Sequence, residues 1–245
     1  MKLIKCIVFP TILTMVWSIA SAQENKTHKT WDELLQKHVD SAGHVNYQGF
    51  IDDKEKFHTY LCALEQEAPQ DDWTEDEKLA YWINAYNAFT VELIIDNYPV
   101  TTIKELGGKL FKVNTAWDIK FIKIEGETYD LNNIEHGIIR KDFDEPRIHF
   151  AVNCASVSCP KLRNEAYVGS KLDEQLTDQV RYFLTNETKN VLGTEKATLS
   201  KIFRWFKGDF TKTMSLVEFI NQYSDVKLTE ETELEYFEYN WNLNE

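Results

Sequence analysis

The hydrophobic positions between residues 74 and 99 predict one long helix. Within it the large apolar side chains keep helical spacing, and they are Leu79, Trp82, Ile83, Tyr86, Phe89 and Leu93. Thr74 and Glu77 have the spacing of a capping box, in which each side chain accepts a hydrogen bond from the other residue's backbone. Because 80–95 is apolar on nearly every side, the pattern predicts a helix buried at the centre of the fold.

Weaker patterns on both sides of this helix predict further helices and short strands. Helical spacing or a capping residue predicts helices at 31–39, 52–67, 172–184 and 215–223, and one from Asn132 or Asn133 to Arg140. Alternation or turn residues predict strands at 119–124 and 128–131 around a turn at 125–127, a strand at 147–153, a hairpin within 189–201 and a last strand at 234–241. These elements predict an α+β fold in which the central helix packs on an antiparallel sheet, with additional helices around it.

The N-terminus has the three-part pattern of a cleavable secretory signal peptide over residues 1–22. Lys2 and Lys5 precede an apolar run at 7–19, and small residues follow at 20–22. The apolar run is shorter than the roughly 20 residues that a bilayer span needs. We therefore predict a periplasmic or secreted protein, with no stable membrane insertion after the signal is cleaved.

Composition and charge restrict the partners of the mature protein. Residues 23–30 are predicted to be a polar tether, and 31–245 a single globular domain that is long enough to bury a core. The net charge of the whole chain is −13, which disfavours nucleic acid and anionic membrane surfaces as partners. Basic and aromatic residues alternate within 201–210, as they do in some nucleic-acid-binding segments. The acidic balance favours packing of these aromatic residues against the domain instead.

Cys154 and Cys159 are candidates for chemistry because they flank a loop of small residues after a predicted strand. Three interpretations are open. They are a disulfide between the two cysteines, a thiolate nucleophile at Cys154 that an imidazole activates, and a metal site that uses both thiols with a histidine. The metal site is the least favoured because a second cysteine pair is absent, and we predict neither a metal nor another cofactor.

Two histidines are candidate partners of Cys154. In a straight strand over 147–153, His149 points away from Cys154, because side chains alternate between the two faces of a strand. By elimination His136 is the better candidate for a catalytic base, with Glu135 beside it as an orienting group. His149 is kept as a substrate-binding residue.

Asn84 and Asn87 interrupt the apolar central helix. Asparagine is unfavourable inside a helix because its side chain competes for backbone hydrogen bonds. A buried amide also needs partners. Either both residues hold neighbouring loops, or they serve the site, Asn84 by orienting a catalytic histidine and Asn87 by contacting substrate.

Several motifs in one order resemble the bacterial family known as domain of unknown function 547. They are Tyr81-Trp82-Ile83-Asn84-Ala85-Tyr86-Asn87-Ala88, Ile134-Glu135-His136-Gly137-Ile138-Ile139-Arg140, Pro146-Arg147-Ile148-His149-Phe150-Ala151, Cys154-Ala155-Ser156-Val157-Ser158-Cys159-Pro160 and Tyr239-Asn240-Trp241-Asn242-Leu243-Asn244. The core of this resemblance covers roughly residues 72–185. The family name implies no activity, so the resemblance adds little about function.

The predicted arrangement is also similar, at the level of fold, to papain-like and transglutaminase-like enzymes. In those families the nucleophilic cysteine opens the central helix, whereas this helix carries Asn84 and Asn87 and no cysteine. The leading hypothesis is thiol-dependent acyl transfer, as in a hydrolase or peptidase, with Cys154 as nucleophile and His136 as base. The alternative is a non-catalytic envelope module that binds a peptide or glycan. A third hypothesis is thiol redox chemistry of Cys154 and Cys159.

Overall fold

The structure, a computed structural model, describes residues 28–107 and 115–245. The predicted signal peptide and residues 23–27 of the predicted tether lie outside the described residues. The first described element is a helix, α1, which covers 28–38 and thus includes the end of that tether. The predicted helix at 31–39 is confirmed and begins earlier than its apolar pattern.

Three helices follow in the first part of the chain. They are α2 (Tyr47–Asp52), α3 (Lys54–Gln66) and α4 (Glu75–Ile95). Helix α4 is the predicted central helix, and Thr74 and Glu77 form the predicted capping box at its start. Its side chains are buried along almost its whole length and lie in the larger of two hydrophobic clusters of the described residues. Each large apolar side chain buried there contributes about 1.5–3 kcal/mol.

A short hairpin follows at the predicted position. Strands β1 (Ile122–Ile124) and β2 (Glu127–Tyr129) pair antiparallel. The turn between them has positive φ at Glu125 (47°) and Gly126 (83°), as a tight hairpin turn requires. The Glu125 amide also donates a hydrogen bond of 2.9 Å to the Glu65 carbonyl, so the hairpin is attached to α3.

The segment after the hairpin is helical. It forms a π-helix over Asn133–Ile139 that continues into α5 (Arg140–Asp142). Each residue of a π-helix bonds five positions ahead instead of four, and such turns occur often at functional sites. The predicted helix up to Arg140 is therefore confirmed, with a different hydrogen-bond pattern.

The prediction of a strand at 147–153 is wrong. Residues Pro146–Phe150 form a 3₁₀ helix that begins at a proline, with the Glu145 carboxylate accepting a hydrogen bond from the Arg147 amide. Residues 148–153 are all buried. The alternation of apolar and polar residues in this segment therefore does not correspond to a buried and an exposed face. It indicated the two-residue period of a strand, whereas the segment is helical.

The C-terminal part adds four helices and a second pair of strands. The helices are α6 (Leu172–Thr185), α7 (Lys201–Trp205), α8 (Lys207–Phe210) and α9 (Leu216–Tyr223). Strand β3 (Lys196–Leu199) pairs parallel with β4 (Glu233–Tyr236). The predicted hairpin within 189–201 is reduced to one antiparallel bridge, between Val191 and Thr198, and the predicted last strand ends at Tyr236.

The α+β class is confirmed, with helices predominating in the described residues. The strands form two small two-stranded sheets, of which only β1–β2 is antiparallel. A second hydrophobic cluster joins α6, α7 and α9, and Phe150 belongs to it. Within the described residues, no helix is long and apolar enough to cross a membrane.

Candidate functional site

An open cleft lies beside the loop 153–160, where this loop meets the π-helix and α7. Its volume is about 650 Å³, including the solvent at its mouth. Five of the predicted site residues line it, and they are Glu135, His136, His149, Cys154 and Cys159. The fold thus brings together three segments that the sequence analysis had treated separately.

The loop is held in place from the central helix. The Asn87 side chain donates a hydrogen bond to the Ala151 carbonyl (2.9 Å) and accepts one from the Asn153 amide (2.8 Å). The Asn153 side chain in turn accepts from the Ala155 amide and donates to the Pro160 carbonyl. Ala155 has a φ of 58°, a left-handed conformation that is unusual for a residue other than glycine. These bonds impose the sharp turn immediately after Cys154.

The two cysteine sulfurs lie side by side in this turn. Both thiols are free, and their Sγ atoms are 2.7 Å apart. The Cys154 amide donates a hydrogen bond of 2.9 Å to the Cys159 Sγ. The Cys154 Sγ also contacts the hydroxyl groups of Ser156 (3.3 Å) and Tyr239 (3.4 Å). Cys154 is half-buried, whereas Cys159 is 4% exposed, so Cys154 is the sulfur that a ligand in the cleft reaches more easily.

The pKa values of the two thiols are shifted in opposite directions. The hydrogen bond with Cys159, together with burial, raises the pKa of the Cys154 thiol. Burial also opposes ionisation of Cys159, but the thiol and amide of Cys154 donate to its sulfur and hold the pKa of Cys159 below its ordinary value. The Lys189 ammonium adds to this effect from a position where it donates to the carbonyls of Val157 and Cys159. A negative charge on the pair therefore resides on Cys159.

His149 is oriented by a carboxylate. Its Nε2 lies 2.7 Å from Asp209 Oδ2, and Arg140 forms a two-pronged ion pair with the same carboxylate (2.6 and 3.1 Å). The hydrogen bond with His149 and the pairing with Arg140 hold the pKa of Asp209 well below its usual range. Burial lowers the pKa of His149, although Asp209 opposes this shift. The ring is then neutral near pH 7, donates from Nε2 to Asp209, and keeps a lone pair on Nδ1.

The π-helix contributes Glu135 and His136 to the same cleft. Glu135 is buried, and its nearest ionic partner among the described residues is His136, at 4.0 Å. His136 is more exposed, and its Nδ1 lies 2.8 Å from the Arg140 guanidinium. Among the hydrogen bonds of the described residues, those of the Cys154 sulfur involve Cys159, Ser156 and Tyr239, and none involves an imidazole.

Aromatic rings form one wall of the cleft, which we call the aromatic wall: Trp117, Trp205, Tyr239 and Trp241. Tyr239 packs against both Trp205 and Trp241 at centroid distances of 4.8 and 4.5 Å. Trp117 contacts Trp241 edge-on. Trp205 is 47% exposed, so the wall presents a large apolar ring to solvent beside the thiol pair.

Two predicted site residues do not line the cleft. The Asn84 side chain bonds in both directions to the backbone of Tyr167, and Asn87 uses its amide for the loop before Cys154. Both are buried and fully engaged. Asn84 therefore holds a loop elsewhere in the fold, while Asn87 acts on the site through the position of Cys154.

Sequence reasoning also missed several residues of the site. Asp209 lies in the basic and aromatic run 201–210, in which no local pattern distinguishes this carboxylate. The prediction that His149 points away from Cys154 is wrong because it assumed a strand at 147–153. The segment is a 3₁₀ helix, and His149 lines the same cleft as Cys154. Tyr239 and Trp241 lie in the C-terminal motif of the family resemblance, which was the available signal for them.

Comparison with known proteins confirms the family resemblance. Residues 70–184 match the family described as protein of unknown function, DUF547. No curated protein and no solved structure matches the chain. The matched range contains Asn87, Glu135, His149 and both cysteines of the cleft, whereas Asp209 and the rings beyond Trp117 lie C-terminal to it. Within 28–107 and 115–245, no group of three or more His, Cys, Asp or Glu side chains is placed to hold a metal ion.

Proposed function

We propose that this protein, whose residues 70–184 match the DUF547 family, carries out thiol–disulfide exchange at Cys154 and Cys159. The observation that carries the proposal is the contact between the two sulfurs, 2.7 Å apart in a cleft that is open to solvent. The pair also has the asymmetry that exchange uses. Cys154 is the more accessible sulfur. Cys159 is the sulfur that is stabilised as a thiolate, by hydrogen bonds and by Lys189.

The oxidised pair would act as an oxidant of a dithiol. A substrate thiolate attacks the Cys154 sulfur, the bond between Cys154 and Cys159 breaks, and its electron pair leaves on Cys159. The second substrate thiolate then attacks the substrate sulfur of the mixed disulfide, and Cys154 leaves and takes a proton from water. The substrate gains a disulfide, and the cysteine pair receives its two electrons. A low-pKa leaving group accelerates the first step, and stabilising the reduced pair makes it a stronger oxidant.

Thiol-dependent acyl transfer remains a second candidate for the same sulfur. It requires an imidazole to deprotonate Cys154, and the hydrogen-bond partners of this sulfur are Cys159, Ser156 and Tyr239. The raised pKa of Cys154 also disfavours a free thiolate there. The first step of the proposed exchange needs neither feature, because in that step Cys154 is the atom attacked.

An oxidising compartment suits this chemistry, and export is part of the proposal. The signal pattern places cleavage before Gln23. Mass spectrometry of the protein purified from its native cells is expected to find a mature chain that begins at Gln23. A chain that keeps Met1 would contradict export.

The exchange proposal is tested by trapping and by redox titration. With oxidised glutathione, the Cys159→Ser variant should form a stable mixed disulfide at Cys154 and release one reduced glutathione, because the resolving thiol is absent. The Cys154→Ser variant should react at least about tenfold more slowly, since the remaining Cys159 is buried. In glutathione buffers the unmodified pair should be reduced and oxidised reversibly, with a midpoint above about −300 mV, below which structural disulfides lie.

Cys62→Ser supplies the matched control, because Cys62 lies on α3 and contacts His58 instead of the cleft. It should leave both the trapping and the titration unchanged. Equal trapping at Cys154 and Cys159 would contradict the assignment of roles. A pair that stays oxidised throughout the titration would be a structural disulfide, and the exchange proposal would then be wrong.

A further inference from the structure

One buried acceptor in the cleft lacks a donor, and a carboxylate lies near it. The Nδ1 of His149 is buried and has no hydrogen-bond partner among the described residues, while the other ring nitrogen is used by Asp209. The Glu135 side chain is 7% exposed and also lines the cleft, and its ion pair with His136 is long, at 4.0 Å. Leaving a buried acceptor unpaired is unfavourable, so the Nδ1 of His149 suits a ligand that donates a hydrogen bond. The Glu135 carboxylate in the same lining can accept a second one.

Two cationic side chains of the protein lie beside the cleft. Arg140 neutralises Asp209. Lys104 lies 3.7 Å from the ring centroid of Trp241, at the edge of the aromatic wall. An ammonium ligand would approach both cations. A neutral donor, such as a backbone N–H, satisfies the acceptors without this repulsion.

The aromatic wall sets the second requirement. Its exposed ring, Trp205, belongs to an apolar surface that is continuous with Tyr239, whose hydroxyl contacts the Cys154 sulfur. A side chain placed next to a sulfur bound at Cys154 would therefore meet an indole. If that side chain is aromatic, its contact with the indole is favourable because it buries apolar area and because two rings can adopt a favourable stacking geometry.

We infer that the cleft binds an uncharged peptide segment in which a cysteine is flanked by an aromatic residue, with backbone N–H groups donated to His149 and Glu135 and the aromatic side chain packed on Trp205. This inference rests on the proposed exchange reaction, because a sulfur in the ligand is what the cysteine pair requires. It is also the reason to favour a peptide over a neutral sugar, which would satisfy the acceptors and the rings but carries no thiol.

Binding is measured separately from exchange with the Cys154→Ser/Cys159→Ser double variant. Calorimetry compares two uncharged synthetic octapeptides, one with a central Cys flanked by Trp and one with the same Cys flanked by Ser. The Trp peptide is expected to bind at least about tenfold more tightly. Trp205→Ala in the same background should remove most of this difference, whereas Trp73→Ala, outside the cleft lining, should leave it unchanged.

His149→Phe keeps a ring against Phe206 but removes the acceptor, and it should weaken both peptides about fivefold, the loss expected of one hydrogen bond. Glu135→Gln, which keeps the shape of the side chain, provides a second test of the acceptors. Equal affinity for the two peptides, or Trp205→Ala without effect, would overturn the inference. So would a neutral oligosaccharide that binds the double variant when neither peptide does. Since this variant lacks both cysteines of the cleft, failure of the exchange proposal would appear in the redox titration and leave these affinities unaffected.

Discussion

Replacing Asn87 with leucine is expected to lower the free energy of unfolding by about 2–6 kcal/mol. The substitution leaves the Ala151 carbonyl and the Asn153 amide without their buried partner, and each unpaired group costs about 1–3 kcal/mol. Because these two groups belong to the loop that carries Cys154, the thiol pair should be disturbed as well. Equilibrium unfolding in urea measures the first effect, and the rate of iodoacetamide labelling of Cys154 measures the second.

Asn84→Leu is the matched control for this prediction. Asn84 lies one helical turn away on α4 and also bonds both backbone groups of one buried residue, Tyr167. Its replacement should destabilise the protein by a similar amount while leaving the labelling of Cys154 in the folded protein unchanged. Equal labelling changes in the two variants would contradict the role of Asn87 in positioning the loop. If the free energy of unfolding of Asn87→Leu equals that of the wild-type protein, the unpaired backbone groups do not have the expected cost.

Acidification is expected to destabilise the fold through His28. Burial lowers the pKa of His28 from 6.5 to about 3, its Nε2 has no partner among the described residues, and its Nδ1 faces the Tyr60 hydroxyl at 2.9 Å. Below about pH 6.5, His28 therefore binds a proton in the unfolded chain, whereas in the folded protein it stays unprotonated until the pH approaches 3. The stability that His28 contributes is present above this pH and decreases by about 1.4 kcal/mol for each pH unit below it, until the folded pKa is reached.

Urea unfolding between pH 7 and pH 4.5 tests this expectation. The wild-type protein should lose about 2–3 kcal/mol through His28 over this range, and His28→Phe should lose correspondingly less. His149, whose pKa burial also lowers, adds a dependence of the same sign that this variant retains. Depressed carboxylates such as Asp209 contribute below about pH 4 and lie outside the range. Identical pH dependence in the two proteins would show that His28 is hydrated or paired in the folded state.

The outcome of the sequence predictions depended on how local each signal was. The capping box at Thr74, the helical spacing of α4 and the turn at Glu125 and Gly126 all act within a few residues, and each was found where it was predicted. The segment after Pro146 was misassigned because its side chains are buried in every direction. Burial of that kind comes from α4 and α6 packing around the segment, and it removes the periodicity by which a strand is distinguished from a 3₁₀ helix.

The candidate site shows the same division. Local sequence could single out Cys154 and Cys159 as candidates for chemistry, because they are close in the chain and flank small residues. It could not identify Asp209 as the partner of His149, since sixty positions separate them and only the packing of α8 beside the 3₁₀ helix joins the two. Nor could it assign Asn84 and Asn87 to different loops, because both have the same helical environment.

The sequence by itself therefore determined the central helix and the hairpin turn, and it singled out the loop with the two cysteines and the family resemblance. Tertiary structure alone decided which sulfur is accessible, which histidine is oriented by a carboxylate, and which aromatic rings face the thiols. The physical reason is range. Capping, turn geometry and helical periodicity are set by neighbours along the chain, whereas burial, ion pairing and the pKa of a thiol are set by groups that only the folded chain brings within a few ångströms.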